Sequence, residues 1–146
     1  MIELVFYNVF FDSLAGFAFA KYRFPGRGKL FWIVLLTLMI PPQITLIPSY
    51  MILARWDLTN TLTGVIIGGV VSAFGIFLMR QYISTIPDTL IEAARIDGCS
   101  DFQIFWRVIL PISRPALGAL AIFHFVSSWN SYLWPLIVLQ REEKFT

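Results

Sequence analysis

Apolar residues fill four long stretches of this chain, and short segments between them hold most of the charged side chains. The stretches cover residues 4–20, 30–54, 62–79 and 116–139. Each approaches or exceeds the roughly 20 residues with which a helix crosses a hydrocarbon core of about 30 Å. The polar segment before the last stretch, residues 86–111, instead has the spacing of amphipathic helices. The pattern predicts an all-α membrane protein with four transmembrane helices and a two-helix loop.

The composition agrees with this class, and the distribution of charge predicts how the chain is oriented in the membrane. The chain is 58% hydrophobic and 14% charged, whereas about a quarter of the residues in a soluble domain are charged. Residues 21–29, KYRFPGRGK, are rich in basic side chains and contain no acid, so the positive-inside rule places them in the cytoplasm. Two spans later the chain returns to the same side, which predicts that residues 86–111 are also cytoplasmic.

The first half of the loop is predicted to be a helix that ends at a glycine. Pro87 and Asp88 suit a first helical turn, and Gly98 suits the left-handed position that closes a helix. Glu92 and Arg95 stand one turn apart as an expected ion pair. The expected apolar face consists of Leu90, Ile91, Ala94 and Ile96.

The second half of the loop begins with the pattern Ser-x-x-Gln. Ser100 and Gln103 predict a capping box at the start of another amphipathic helix, which Pro111 is expected to end. From these residues alone, an elbow lying on the membrane surface and a docking site for another protein are equally good interpretations.

Two features of the apolar stretches also have two interpretations each. Asp12 in the first stretch is either a functional carboxylate or a structural hydrogen-bonding group. Pro41 and Pro42 break the second stretch, either to line a transport path or only to kink a packed helix.

The last stretch has an unusually polar middle. His124 lies there, and whether it is functional or structural stays open. The hydroxyl, amide and indole groups that follow would suit a sugar-sized ligand, or would serve interhelical hydrogen bonding. The residues predicted for a substrate path are Ser127, Trp129, Asn130 and Ser131.

The loop carries a family motif. Glu92-Ala93-Ala94, then Gly98, then Val108-x-Leu110-Pro111 resembles the EAA loop of ABC-importer permeases, with valine where isoleucine is usual. The segments FPGRGK and SSWNSYLWPLIVLQ resemble the carbohydrate branch of the family, of the maltose or glycerol-phosphate type. The likeness extends over nearly the whole chain. Because family members usually have six spans, the chain is expected to be a fragment without the first and the last.

The resemblance implies a role for the loop and a set of partners. It implies a permease subunit of an ATP-driven sugar importer, in the cytoplasmic (inner) membrane of a bacterium or archaeon, which works by alternating access. The partners would be ATP-binding cassette ATPase subunits, a homologous second permease and an extracytoplasmic solute-binding protein. Coupling to the ATPase would rest on Glu92, Ala93, Ala94, Asp97, Gly98, Leu110 and Pro111.

Other chemistries find no support in the sequence. There is no phosphate-binding loop motif, no grouping of metal ligands around the single histidine and cysteine, and no basic surface for nucleic acid. We therefore expect no enzyme activity, metal or cofactor. Two alternatives to an importer subunit stay open: a passive solute channel, and a truncated membrane protein that assembles but does not transport.

Overall fold

The protein is helical throughout the part of the chain that the structure, a computed structural model, describes: residues 2–131 and 133–138. This confirms the predicted all-α class. The helices are α1 Ile2–Lys21, α2 Arg27–Thr37, α3 Pro42–Arg55, α4 Leu62–Ile67, α5 Ala73–Ser84, α6 Asp88–Ile96, α7 Asp101–Ile104, α8 Leu110–Ile112, α9 Arg114–Trp129 and α10 Leu133–Val138, and a π-helical turn, Phe105–Ile109, joins α7 to α8.

The predicted count of four spans is not confirmed. Within the described residues, Glu3–Lys21 is long and apolar enough to cross a membrane alone. Up to three spans result if each of two bent helix pairs counts as one. One pair is α2 with α3, bent by 103°, and the other is Asp101–Ile112 with α9, bent by 82°. The limits given for the four spans stay predictions, and Leu139 at the end of the last one lies outside the described residues.

The third apolar stretch is divided into two short helices. The first, α4, ends at Gly68, and α5 begins only at Ala73, after Ser72 in extended conformation. The Ser72 hydroxyl accepts from the N–H of Gly75 at 3.3 Å and so caps α5. Because of the gap, neither helix alone has the roughly 20 residues of a span.

Helix α1 lies at the centre of the fold, against both α5 and α9. Its contact with α5 is close: a Cβ added at Gly16 would lie 2.6 Å from the Cβ of Met79. The core that forms around this contact also includes the inner face of the loop. Its buried members are Phe17, Met79, Ile83, Ile86, Ile91, Ala94, Ile104, Phe105, Ile109, Ala116 and Leu120.

A buried carboxylate joins the same three helices. Asp12 on α1 is fully buried; its Oδ1 accepts from the N–H of Ser72 at 2.9 Å, and its Oδ2 lies 2.9 Å from Nε2 of His124 on α9. Gly75 makes room for this carboxylate, because an added Cβ there would overlap Oδ2. We call Asp12, Ser72, Gly75 and His124 the three-helix node.

We predict that Gly75→Ala destabilises the protein by about 1–3 kcal/mol, because the new methyl group forces the Asp12 carboxylate out of place. Gly118→Ala is the control, since an added Cβ at this helical glycine meets nothing within 4 Å. Thermal unfolding in detergent checks the pair. Equal melting temperatures for the two variants would contradict the packing described for the node.

Candidate functional site

Helix α6 buries one narrow stripe and exposes the rest. Ile91 and Ala94 are buried in the core, whereas Leu90 is 43% exposed and Ile96 is 86% exposed. The expected apolar face is therefore correct for Ile91 and Ala94 and wrong for Leu90 and Ile96. The reason is geometric: α6 contacts the core along one line, so only residues about one turn apart are covered.

The outer side of α6 forms a continuous surface. Thr89, Glu92, Ala93 and Ile96 follow the i, i+3, i+4, i+7 spacing of a single helix face and are all exposed. We call these four residues the docking face. The small side chain of Ala93 lies at the centre of this face, so another surface can approach the backbone there. Ile96 adds exposed apolar area. Exposed apolar area with polar groups around it is typical of a surface that binds a partner.

A buried lysine anchors the start of α6. Lys21, the last residue of α1, donates from Nζ to the carbonyl of Ile86 and to Oδ1 of Asp88, the latter at 2.6 Å. Its side chain is only 7% exposed, so the two acceptors replace lost water for the ammonium group. The hydrogen bond from Lys21 lowers the pKa of Asp88 from its usual range. The lysine thereby ties α6 to the C-terminal end of α1.

Gly98 closes α6 in the predicted manner. It has φ +80°, its N–H donates to the carbonyl of Arg95, and the N–H of Cys99 donates to the carbonyl of Ala94, both at 3.0 Å. These two bonds form a Schellman motif in which Gly98 takes the left-handed position. An added Cβ would meet nothing within 4 Å, so the backbone conformation alone favours glycine here. Asp97, the residue before it, is exposed at the end of the helix.

The capping box at the next helix is confirmed. The N–H of Ser100 donates to Oε1 of Gln103 at 2.8 Å, and the N–H of Gln103 donates to the Ser100 hydroxyl at 3.4 Å. The loop therefore turns through two local motifs in succession, which fixes the direction between its helices.

The expected ion pair within α6 is wrong. Arg95 contacts Oδ1 of Asp101 at 3.3 Å instead of Glu92, so the Glu92 carboxylate is left on the docking face.

Burial and the nearby Asp101 carboxylate raise the pKa of Tyr22 to about 12. Tyr22 is therefore a neutral phenol at physiological pH, at the place where the end of α1 meets the loop.

Pro111 does not end the second helix of the loop. Helical structure continues to Ile112 and bends only at Ser113. A proline inside an α-helix would clash with the carbonyl four residues earlier. Here the π-helical turn widens the chain, with the N–H of Leu110 donating to the carbonyl of Phe105 five residues back. Leu110 is half-buried and Pro111 exposed, so the pair lies at the edge of the core.

The residues predicted for a substrate path lie far from the loop, at the other end of α9. Ser127, Trp129, Asn130 and Ser131 are all exposed. Trp129 stacks on Phe125 with ring centroids 5.9 Å apart, and the side-chain amide of Asn130 donates to the carbonyl of Val126 at 2.9 Å. The structure groups them as neighbours on one helix end, and their role stays a prediction.

A cleft elsewhere is of a different kind. It lies between α1 and the Asp101–Ile112 helix and is lined only by aromatic side chains. They are Phe6, Tyr7, Phe10, Phe11, Phe102 and Trp106. With so few hydrogen-bonding groups it suits an apolar occupant, and it does not overlap the predicted path.

Two contacts between distant parts of the chain were not foreseen from the sequence. One is the bond between Asp12 and His124, and the other is the anchor from Lys21 to the start of α6. A signal for the first was present: a buried carboxylate and a buried imidazole in apolar stretches each need a partner. For Lys21 no local signal existed, because its contacts are set by how the end of α1 meets the loop.

Comparisons with known proteins agree on one family. Residues 13–142 match the model of the binding-protein-dependent transport system inner membrane component. The chain is 41% identical over 145 residues to the arabinooligosaccharides transport system permease protein AraQ of Halalkalibacterium halodurans, covering 99% of this chain and 52% of that protein. It is 41% identical over 126 residues to the sn-glycerol-3-phosphate transport system permease protein UgpE of Pectobacterium atrosepticum, covering 86% of this chain and 45% of that one.

A solved structure gives the same result. A chain of a bacterial ABC transporter involved in the import of the acidic polysaccharide alginate superimposes with a TM-score of 0.79 at 31% identity. The match covers 97% of this chain and 53% of the other. The chain thus spans about half the length of the relatives that it matches.

We predict that Lys21→Met loosens α6. The carbonyl of Ile86 and the carboxylate of Asp88 lose their hydrogen-bond donor, while an apolar side chain of similar length is kept at position 21. Hydrogen exchange across residues 88–96 should become several-fold faster. Lys29→Met is the control, since Lys29 is an exposed base of the neighbouring loop. Unchanged exchange in the Lys21 variant would show that the anchor does not hold α6.

The same contact predicts a dependence on pH. A carboxylate whose pKa is lowered on folding contributes stability above its unfolded pKa of about 3.9, and the contribution disappears as the pH falls through the lowered value. The protection of the α6 amides, measured relative to the intrinsic exchange rate at each pH, should therefore be constant from neutral pH down to about pH 4 and decrease below it. Asp88→Asn, which cannot ionise, should remove this transition.

Proposed function

The chain belongs to the family of binding-protein-dependent transport system inner membrane components, and from this premise we propose that it is the permease subunit of an ATP-driven sugar importer. Members of this family are transport components and not enzymes. In the proposed role the chain forms part of the translocation path and couples to the ATPase through the loop of α6, α7 and α8.

The docking face is the observation that carries the proposal. It is presented on a helix whose other side is held by the core and by Lys21, so a partner pressing on it moves a fixed element. Ile96, at 86% exposure, would gain most by burial against such a partner. A helix that lies on the membrane surface turns a predominantly apolar face towards the lipid, whereas the docking face also carries Thr89 and Glu92.

The predicted coupling residues form two groups: some would contact the ATPase, and the others would hold α6 in place. Glu92 and Ala93 would contact the ATPase directly, Glu92 by charge and Ala93 by allowing close approach. Ala94, which is buried, would seat α6 against the core. Gly98 sets the turn, with Asp97 before it at the end of the helix.

Leu110 and Pro111 would hold the far end of the loop. They lie where the Asp101–Ile112 helix reaches the bend of 82° into α9. A push on α6 would therefore reach α9 through the Asp101–Ile112 helix, and rigid-body movement of the helices would expose the path to alternate sides.

The wider assembly follows from the family and is part of the proposal. The chain would work in the inner membrane as a multi-pass protein, with ATPase subunits inside, a second permease beside it and a solute-binding protein outside. The solute would be a sugar or a sugar-like molecule, because the relatives named above include permeases for arabinooligosaccharides and glycerol phosphate. Ser127, Trp129, Asn130 and Ser131 would line its path.

We predict that Ala93→Trp lowers ATP-dependent uptake by about tenfold or more, since the indole holds a partner away from the docking face. Uptake of radiolabelled arabinotriose and of sn-glycerol 3-phosphate is measured in cells that express the complete transporter. Ala54→Trp is the matched control, because Ala54 is also exposed but belongs to α3.

Cys99 supplies a direct test of docking. It is a free, half-buried thiol next to Gly98. With one engineered cysteine in the ATPase, we expect a cross-link whose yield changes with ATP and which Ala93→Trp abolishes. If the unaltered chain never cross-links and its uptake is insensitive to ATP depletion, the proposal fails in favour of a passive channel. If it neither cross-links nor supports uptake, it fails in favour of a membrane protein that does not transport.

A further inference from the structure

In the proposed topology the three-helix node would lie near the middle of the membrane. Asp12 is nine residues from the cytoplasmic end of α1, about 14 Å at 1.5 Å per residue. His124 is ten residues from the start of α9, about 15 Å. Both distances are about half of a hydrocarbon core of about 30 Å. A hydrogen bond at this depth has no water to compete with it and is a strong constraint on the helices that it joins.

The node fixes α9 against rotation. His124 is 5% exposed and reaches across to α1, whereas Ile122 and Val126 on the same helix are more than half exposed. The contact with Asp12, together with the buried Ala116 and Leu120 on the same stripe, therefore determines which side of α9 faces the core. No second polar contact from α9 to α1 or α5 occurs within the described residues.

That orientation determines where the predicted path residues point. Trp129 and Asn130 are five and six residues beyond His124, which at about 100° per residue places them about 140° and 240° around the helix axis. They face away from α1 and α5, as their exposure shows. A rotation of α9 by one residue would turn one of them towards its neighbours.

We propose that Asp12 and His124 are a positioning pair. Their hydrogen bond fixes the rotation of α9 about its axis, so that the predicted path residues keep their orientation when the loop moves α9. This inference rests on the proposed function. Neither residue touches the docking face, and neither is among the predicted path residues. Their action is exerted through α9, which joins the loop at Ser113 to the polar segment at its far end.

The test compares uptake with ATP hydrolysis in the complete transporter in proteoliposomes, at matched amounts of assembled complex. His124→Leu should lower uptake of arabinotriose or sn-glycerol 3-phosphate by about tenfold while ATP hydrolysis continues. A residue with only a structural role would lower both activities in proportion to the loss of complex. The double variant Asp12→Leu/His124→Leu should be no worse than Asp12→Leu alone, because Asp12→Leu already removes the bond to His124 and both variants lose the bond from Ser72.

Two further variants keep the test decisive where apolar replacements fail to assemble. Asp12→Asn should retain most of the coupling, because an amide still accepts from Ser72 and donates to the imidazole. Ser13→Ala is the matched control: Ser13 is next to Asp12 and fully buried, but its hydroxyl bonds only to Phe10 within α1. Its ratio of uptake to hydrolysis should be unchanged.

The outcomes separate the two proposals. If hydrolysis and uptake fall together in His124→Leu, or if Asp12→Asn and Ser13→Ala lose coupling to the same extent, the positioning pair is refuted while the docking face stands. Failure of the proposed function would already be visible in the unaltered transporter, as the absence of ATP-dependent uptake and of the Cys99 cross-link.

Discussion

A single buried carboxylate constrains the whole arrangement of this chain. Asp12 cannot remain in an apolar interior without hydrogen-bond partners, since an unpaired buried charge is strongly unfavourable. It finds one partner in the backbone of Ser72 and another in His124. Three helices must therefore meet at this residue, and Gly75 is the position where the approach of α5 would otherwise be blocked.

The break before α5 follows from the same constraint. A helix interrupted within the membrane leaves backbone groups without partners, which is tolerated only where protein satisfies them. Here the Asp12 carboxylate takes the N–H of Ser72, and the Ser72 hydroxyl takes the N–H of Gly75. The buried carboxylate of α1 thus accepts a hydrogen bond from the backbone N–H at the start of α5, and each group gains the partner that it needs.

A shared core connects α1, α5 and α9 to the loop. Phe17 of α1 and Leu120 of α9 belong to the same apolar cluster as Ile91 and Ala94 of α6. Lys21 adds a polar contact at the edge of that cluster. A loop seated in this way is an extension of the helices and not a flexible connector, which is the property that transmission of movement requires.

The sequence by itself determined the features that depend on neighbours a few residues apart. The helical class, the glycine closure at Gly98 and the capping box at Ser100 are local, because each bond joins residues within one or two turns. The family motif is read directly from the order of residues 92–111. What only the tertiary structure decided depends on contacts between distant parts of the chain. Asp12 and His124 are separated by 112 positions, and Lys21 and Asp88 by 67, so no local pattern could pair them. The buried stripe of α6, the division of the third apolar stretch and the continuation of the helix through Pro111 were decided in the same way, by the surface that each element meets when the chain packs together.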